Sequence, residues 1–103
     1  MSANPNQSEP ARTRYFVHAE HDPSVFVRIM GLFTQRDLIP LHAACHVRER
    51  DGRRWLEIDI ESEGLEEVHA RHLAARIEQF FPVISVAFDH GLSAAALPRH
   101  RAA

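Results

Sequence analysis

The sequence predicts an α+β domain: a ferredoxin-like βαββαβ sandwich, in which a four-stranded antiparallel sheet carries two helices on one face. Three observations lead there. Apolar and polar side chains alternate over residues 14–20, 38–50 and 53–61, and a short apolar run follows at 83–88. Apolar residues recur at helical spacing in two segments, one after Asp22-Pro23 and one over 65–80. Asp51-Gly52 joins the second and third strands with a strong hairpin signal.

The elements follow in order. Residues 1–13 carry Asn, Pro, Ser, Gln and Glu and almost nothing apolar, so they are expected to form a disordered leader. Tyr15, Val17 and Ala19 alternate with Phe16, His18 and Glu20, which gives the first strand one buried face. Asp22 is a good helix cap, and Pro23 suits the first helical position, where its missing N–H costs nothing. Val25, Phe26, Ile29, Met30, Leu32 and Phe33 then line one side of a helix that ends at Gln35-Arg36-Asp37. In the second strand, 38–50, Leu41, Ala43, Cys45 and Val47 face one way and His42, Ala44, His46 and Arg48 the other. Pro40 has no N–H for a ladder, so this strand is expected at an edge. Leu56, Ile58 and Ile60 of the third strand point inward, with Trp55, Glu57 and Asp59 outward. The second helix presents Val68, Leu73, Ile77 and Phe80 to the core, and Pro82 breaks it. The folded unit thus spans 14–89, and an Ala-, Arg- and His-containing flexible tail occupies 90–103.

Bulk properties narrow the function. The chain has 103 residues, one domain's worth, with 45% hydrophobic and 25% charged residues. Roughly 75–80 residues are left to build a core, a size at which pairing with another chain is a natural source of stability. Net charge is -2, without a basic tract, which argues against nucleic acid as a partner. All 12 basic residues are Arg. No apolar run is long enough for a membrane span and no signal-peptide pattern opens the chain, so a cytoplasmic location is expected.

The single cysteine, Cys45, is expected to be a small buried apolar residue. His42 and His46 are near it in sequence but alternate onto the opposite strand face. His69 and His72, three apart on a helix, share a side. His42 and His46 stand roughly 13 Å apart along their strand, too far for one ion. No metal site, no cofactor and no catalytic pair are expected, and so no enzyme activity. The outward sheet face has no helix over it and carries Phe16, His18, His42, His46 and Trp55, with Phe88 expected beside them. So much aromatic surface reads as a protein-contact face, with Trp55 as its anchor. The arginines at 48, 50, 53 and 54 are interrupted by Glu49 and Asp51 and read as a solvated hairpin.

The stretch Glu20-His21-Asp22-Pro23-Ser24-Val25-Phe26-Val27-Arg28-Ile29-Met30-Gly31-Leu32-Phe33 carries a family resemblance. With the βαββαβ order, it resembles the ACT domain, and in particular the regulatory small subunit of acetolactate synthase, through Pro23, Arg28, Gly31, Leu32 and Phe33 in register. The resemblance implies a non-catalytic regulatory subunit. Such a subunit would pair through edge strands as a homodimer, bind a free amino acid between copies, and serve a larger catalytic subunit of branched-chain amino-acid biosynthesis. A stand-alone amino-acid sensor or adaptor for another enzyme is the alternative. Carried over by position, the ligand site comprises His21, Asp22, Pro23, Ser24 and Val25 at the first strand-to-helix corner. Leu38, Ile39 and Pro40 would come from the second strand of the neighbouring copy. Ser24 stands where the family has Gly, and Asp37 and Ile39 replace a helix-end Gly and a following polar residue. An activating subunit without valine sensing therefore fits the resemblance at least as well as a sensor.

Overall fold

The structure, a computed structural model, describes residues 11–92. Six elements follow in the expected order: β1 (Arg12–Glu20), α1 (Ser24–Gln35), β2 (His42–Arg50), β3 (Arg53–Glu63), α2 (Glu67–Glu78) and β4 (Val83–Leu92). The strands form one sheet in the order β2-β3-β1-β4, with every neighbouring pair antiparallel. β1 and β3 are central, and β2 and β4 are the edges. This is the ferredoxin-like arrangement.

Alternation decides what each face buries. Tyr15, Val17 and Ala19 of β1 and Leu56, Ile58 and Ile60 of β3 are buried on one face, against Val25, Ile29, Leu32 and Phe33 of α1 and Ala70, Leu73, Ala74 and Ile77 of α2. Tyr15 occupies the middle of this layer and is fully buried. Its hydroxyl donates to the Ala70 carbonyl at 2.8 Å, and its ring meets Phe33 edge-on and stacks on Phe88. Phe88 therefore belongs to the helix-covered face and not to the outward one.

The turns obey backbone chemistry. Asp51 and Gly52 both take positive φ, 53° and 78°, which closes a two-residue hairpin with the right twist. α1 ends in a Schellman closure: Leu38 N–H bonds to Phe33 O and Asp37 N–H to Thr34 O. The left-handed position that most often holds Gly is Asp37, at φ 56°.

Several boundaries and side chains differ from expectation. β1 begins at Arg12, so Arg12 and Thr13 are strand and not leader; Thr13 is buried and shares a 2.7 Å hydrogen bond with His90. β4 runs on through Leu92, past the expected end of the folded unit at 89, because a register shift at Gly91 (φ 86°) lets the pairing continue. The remainder of the expected leader and tail, 1–10 and 93–103, lies outside the described residues. β2 starts at His42, so Pro40 precedes the strand, although Leu41 N–H already bonds to Glu61 O. Val68 is 62% exposed, and Ala70 and Ala74 take the inward positions of α2 instead. Cys45 is exposed rather than buried. It faces the helical side, but that layer does not reach the edge strand.

Asp59 is the largest departure on the outward face. Expected in solvent, it is 3% exposed and grips the equally buried Arg14 in a two-point pair, Nε to Oδ1 at 3.0 Å and Nη2 to Oδ2 at 2.7 Å. The guanidinium also lies 4.4 Å over the Phe16 ring.

Asp59→Ala should cost about 3–5 kcal/mol of unfolding free energy, because it removes the two-point carboxylate partner of a buried guanidinium. Replacing Arg14 and Asp59 together by Met and Leu should cost less. Urea denaturation reads both, and a loss under about 1 kcal/mol for the single change would contradict a buried pair. Asp37→Gly should stabilise the chain by up to about 1 kcal/mol, since Gly pays no penalty in the left-handed region. That appears as a rise in Tm, at about 4–8 °C per kcal/mol.

Candidate functional site

The corner between β1 and α1 is built by its own side chains. Glu20 N–H bonds to Pro82 O at 2.8 Å, which ties the end of β1 to the start of β4. Asp22 then turns the chain. Its Oδ1 accepts from Ser24 N–H at 2.8 Å and from the Ser24 hydroxyl at 2.7 Å, and its carbonyl accepts from Val25 N–H at 3.2 Å. Asp22 therefore caps the helix as its sequence suggests, with Pro23 behind it. The two bonds from Ser24 hold the Asp22 carboxyl below its ordinary range. The Ser24 N–H, which an incoming anion would need, is already taken by a carboxylate of the same chain.

The other expected ligand residues divide by position. His21, Pro23 and Ser24 are exposed, whereas Val25 is fully buried and presents only its backbone. Leu38 packs against the core and Ile39 is 88% exposed. Both lie beyond the far end of α1, whose 12 residues span roughly 18 Å. One chain does not bring the two halves together.

The five expected contact residues do share a face. Strand register lines up His46, Glu57, His18 and Ser85 in one row across all four strands. Glu57 is the hub: Arg48 Nε donates to it at 2.9 Å and Trp55 Nε1 at 3.2 Å. These bonds, that from Arg48 foremost, hold its carboxyl below the usual range. His18 meets the Trp55 ring edge-on at 6.2 Å. Phe16, His18 and His46 line a hollow of about 310 Å³ with Ser85 and Ala87. Trp55 and His18 line a neighbouring one of about 420 Å³ with Glu20, Arg53 and Ile84. His42 sits two residues along β2, opposite Glu61, and lines neither. Sequence reasoning missed Glu57; its signal was the position two residues from Trp55 on the same strand face.

Among the described residues no group of three or more His, Cys, Asp or Glu side chains could hold a metal ion. Desolvation pushes the Cys45 thiol up, the opposite of what activates a nucleophile. No helix among them is long and apolar enough to cross a membrane.

A ferredoxin-like sheet with a self-capped corner, and with no helix among the described residues over its second face, defines the class of fold. The chain belongs to the ACT-like domain family, whose sequence profile matches residues 6–102. Solved structures share the fold. The ACT domain from GTP pyrophosphokinase of Chlorobium tepidum matches in a crystal structure with a TM-score of 0.60 at 12% identity, covering 75% of this chain and 95% of that one. The solution structure of that domain gives 0.61 at 11%, covering 89% and 93%. The C-terminal domain of the MgtC protein from Mycobacterium tuberculosis gives 0.63 at 14%, covering 82% and 90%. No curated protein matches the chain. Family membership points to a small-molecule-binding regulatory role, since ACT domains are generally regulatory and non-catalytic.

The Asp22 cap has a pH signature. Its carboxyl is depressed in the folded state, so the stabilisation it gives is present above the ordinary carboxylate pKa and is lost as pH falls through the depressed folded value. Asp22→Asn should flatten that part of the acid limb of a Tm-against-pH curve. An unchanged acid limb would show that the Ser24 bonds do not form in solution.

Proposed function

We propose that this chain is a non-catalytic regulatory subunit that pairs side by side with a second copy through β2, binds a free amino acid at the corner, and modulates or stabilises a larger cytoplasmic enzyme of amino-acid biosynthesis. The acetolactate synthase small subunit is the form of that role the corner motif resembles. One observation carries the reading: β2 is a nine-residue edge strand with an apolar helix-side face left bare. Val47 is 54% and Leu41 46% exposed, with Ala43 and Cys45 exposed between them. An edge of that length, apolar and uncovered, favours pairing.

Pairing across a twofold axis would also complete the ligand site. In register, Glu20 lies beside Trp55 and Trp55 beside Arg48, so the corner stands near the Arg50 end of β2. Antiparallel pairing of two β2 strands sets the Arg50 end of one copy against the His42 end of the other. Leu38 and Ile39 of the second copy would then approach the first copy's corner. There Asp22 offers a carboxylate to an α-ammonium group. The open face with Phe16, His18, His42, His46 and Trp55 would contact the larger subunit, which supplies the chemistry. In GTP pyrophosphokinase, too, an ACT domain is one part of a larger protein.

The test combines assembly and ligand response. Sedimentation should give a dimer, and Val47→Glu should give a monomer. A thermal-shift panel of the standard amino acids at millimolar concentration should single out one group. A ligand at a hundred times its dissociation constant adds about 2.7 kcal/mol. The shift should disappear in Val47→Glu and strengthen in Ser24→Gly. A wild-type monomer, or a flat panel with a dimer, would defeat the pairing or the ligand site respectively. Co-purification with a catalytic subunit, weakened by Trp55→Ala, separates the subunit reading from a stand-alone sensor.

A further inference from the structure

At the opposite end of α1 from the corner, a hollow of about 420 Å³ is lined by Arg36, Leu38, Leu65, His69 and His72. We infer that this hollow is a second ligand site, which takes a small organic anion: a carboxylate or phosphate monoester head on a compact apolar body. It goes beyond the proposed function: Leu38 figures in both sites, but all five residues lining this one come from one chain, so binding here needs no second copy.

The chemistry of the lining makes the case. Three of its five side chains carry nitrogen donors, and none is acidic. The chain as a whole has net charge -2, so a hollow lined only by basic and apolar groups is not the average of its surface. Arg36 is half-buried at the end of α1, and its Nη1 donates to Leu32 O at 3.1 Å. That bond fixes the guanidinium while leaving its other donors for a ligand. Among the described residues Arg36 forms no ion pair. His69 and His72 stand three apart on α2 and so face the hollow together. The acidic residues nearby in sequence are placed otherwise: Glu67 is bound to Arg71 at 3.0 Å, and neither Asp37 nor Glu66 lines the hollow.

The floor is apolar. Leu65 is buried and Leu38 packs against the core. Basic groups around an apolar base select an amphipathic anion over a bare one, and the volume lies in the range of small-molecule sites, about 300–1,000 Å³. The first turn of α2 is close by, and its N-terminal dipole favours negative charge.

Isothermal titration of the full chain tests the assignment. Phenyl phosphate and phenylacetate serve as probes for the two head groups, and inorganic phosphate for the head alone. At least one aromatic anion should bind at a single saturable site. Arg36→Gln should weaken it about tenfold or more, the worth of a charge-assisted hydrogen bond. His72→Glu, at an exposed position that leaves the fold intact by circular dichroism, should abolish it. Arg76→Gln, which removes the same charge farther along α2, should leave affinity unchanged. Val47→Glu should bind as the wild type does, which separates this site from one between copies. No saturable binding of either aromatic anion would overturn the assignment. So would equal weakening by Arg76→Gln, or inorganic phosphate binding as tightly as phenyl phosphate.

Discussion

Tyr15 sits at the one position where every layer of the molecule meets. It lies on a central strand, with Ile60 and Phe88 beside it in register, Phe33 of α1 against its ring edge and the Ala70 carbonyl of α2 at its hydroxyl. Burial alone pushes the phenol pKa up, so the group stays a neutral donor. A hydroxyl this deep is costly unless bonded, and the bond it makes is available only when α2 lies at one height along the sheet. The ring therefore supplies apolar area, and the hydroxyl supplies register. The positions of the two helices, and so of both ends of α1, follow from it.

The same placement leaves the edge uncovered. The helices cover β1 and β3 fully, while the inward-facing residues of β2 keep much of their surface in water. On the other face no helix among the described residues lies over the sheet, yet Arg14 and Asp59 are as buried as the core. A charged pair offsets its loss of water only through good geometry, and this one has two parallel bonds. It gives the helix-free face a fixed polar centre. Around it the Arg48–Glu57–Trp55 chain holds the indole in place, which makes the face a surface of set shape.

Much of this was legible in the chain. Period-two alternation located the strands and assigned their faces, Asp51-Gly52 fixed the hairpin, and Asp22-Pro23 marked the helix start. What stayed hidden has common physical causes. Alternation tells which way Cys45 points but not whether a helix reaches it. Val68 and Ala70 compete for one inward position, and only the height of α2, fixed through Tyr15, decides between them. β4 outruns its expected end at 89 because a bulge such as that at Gly91 has the same local chemistry as a turn. The Arg14–Asp59 pair and the meeting of Arg36 with His69 and His72 join residues far apart in sequence. No local pattern announces such contacts. The corner was found by its motif, but its self-satisfied hydrogen bonds were not.

Those bonds bear on how α1 is used. The helix has no acidic residue in its first turn and no basic one in its last; the residues just outside supply both. Asp22 places a carboxylate at the positive end and Arg36 a guanidinium at the negative end, so each end is matched to the helix dipole. The two matches differ in what they leave over. Asp22 accepts both donors that Ser24 can offer, and the corner is left with negative charge and a filled N–H. Arg36 spends one donor on Leu32 and keeps the rest. A Gly in place of Ser24 would remove the hydroxyl and loosen the hold on Asp22. With that bond gone, the Asp22 carboxylate would be freer to meet an ammonium group. Recognition of negative charge passes to the opposite end of the helix, roughly 18 Å away.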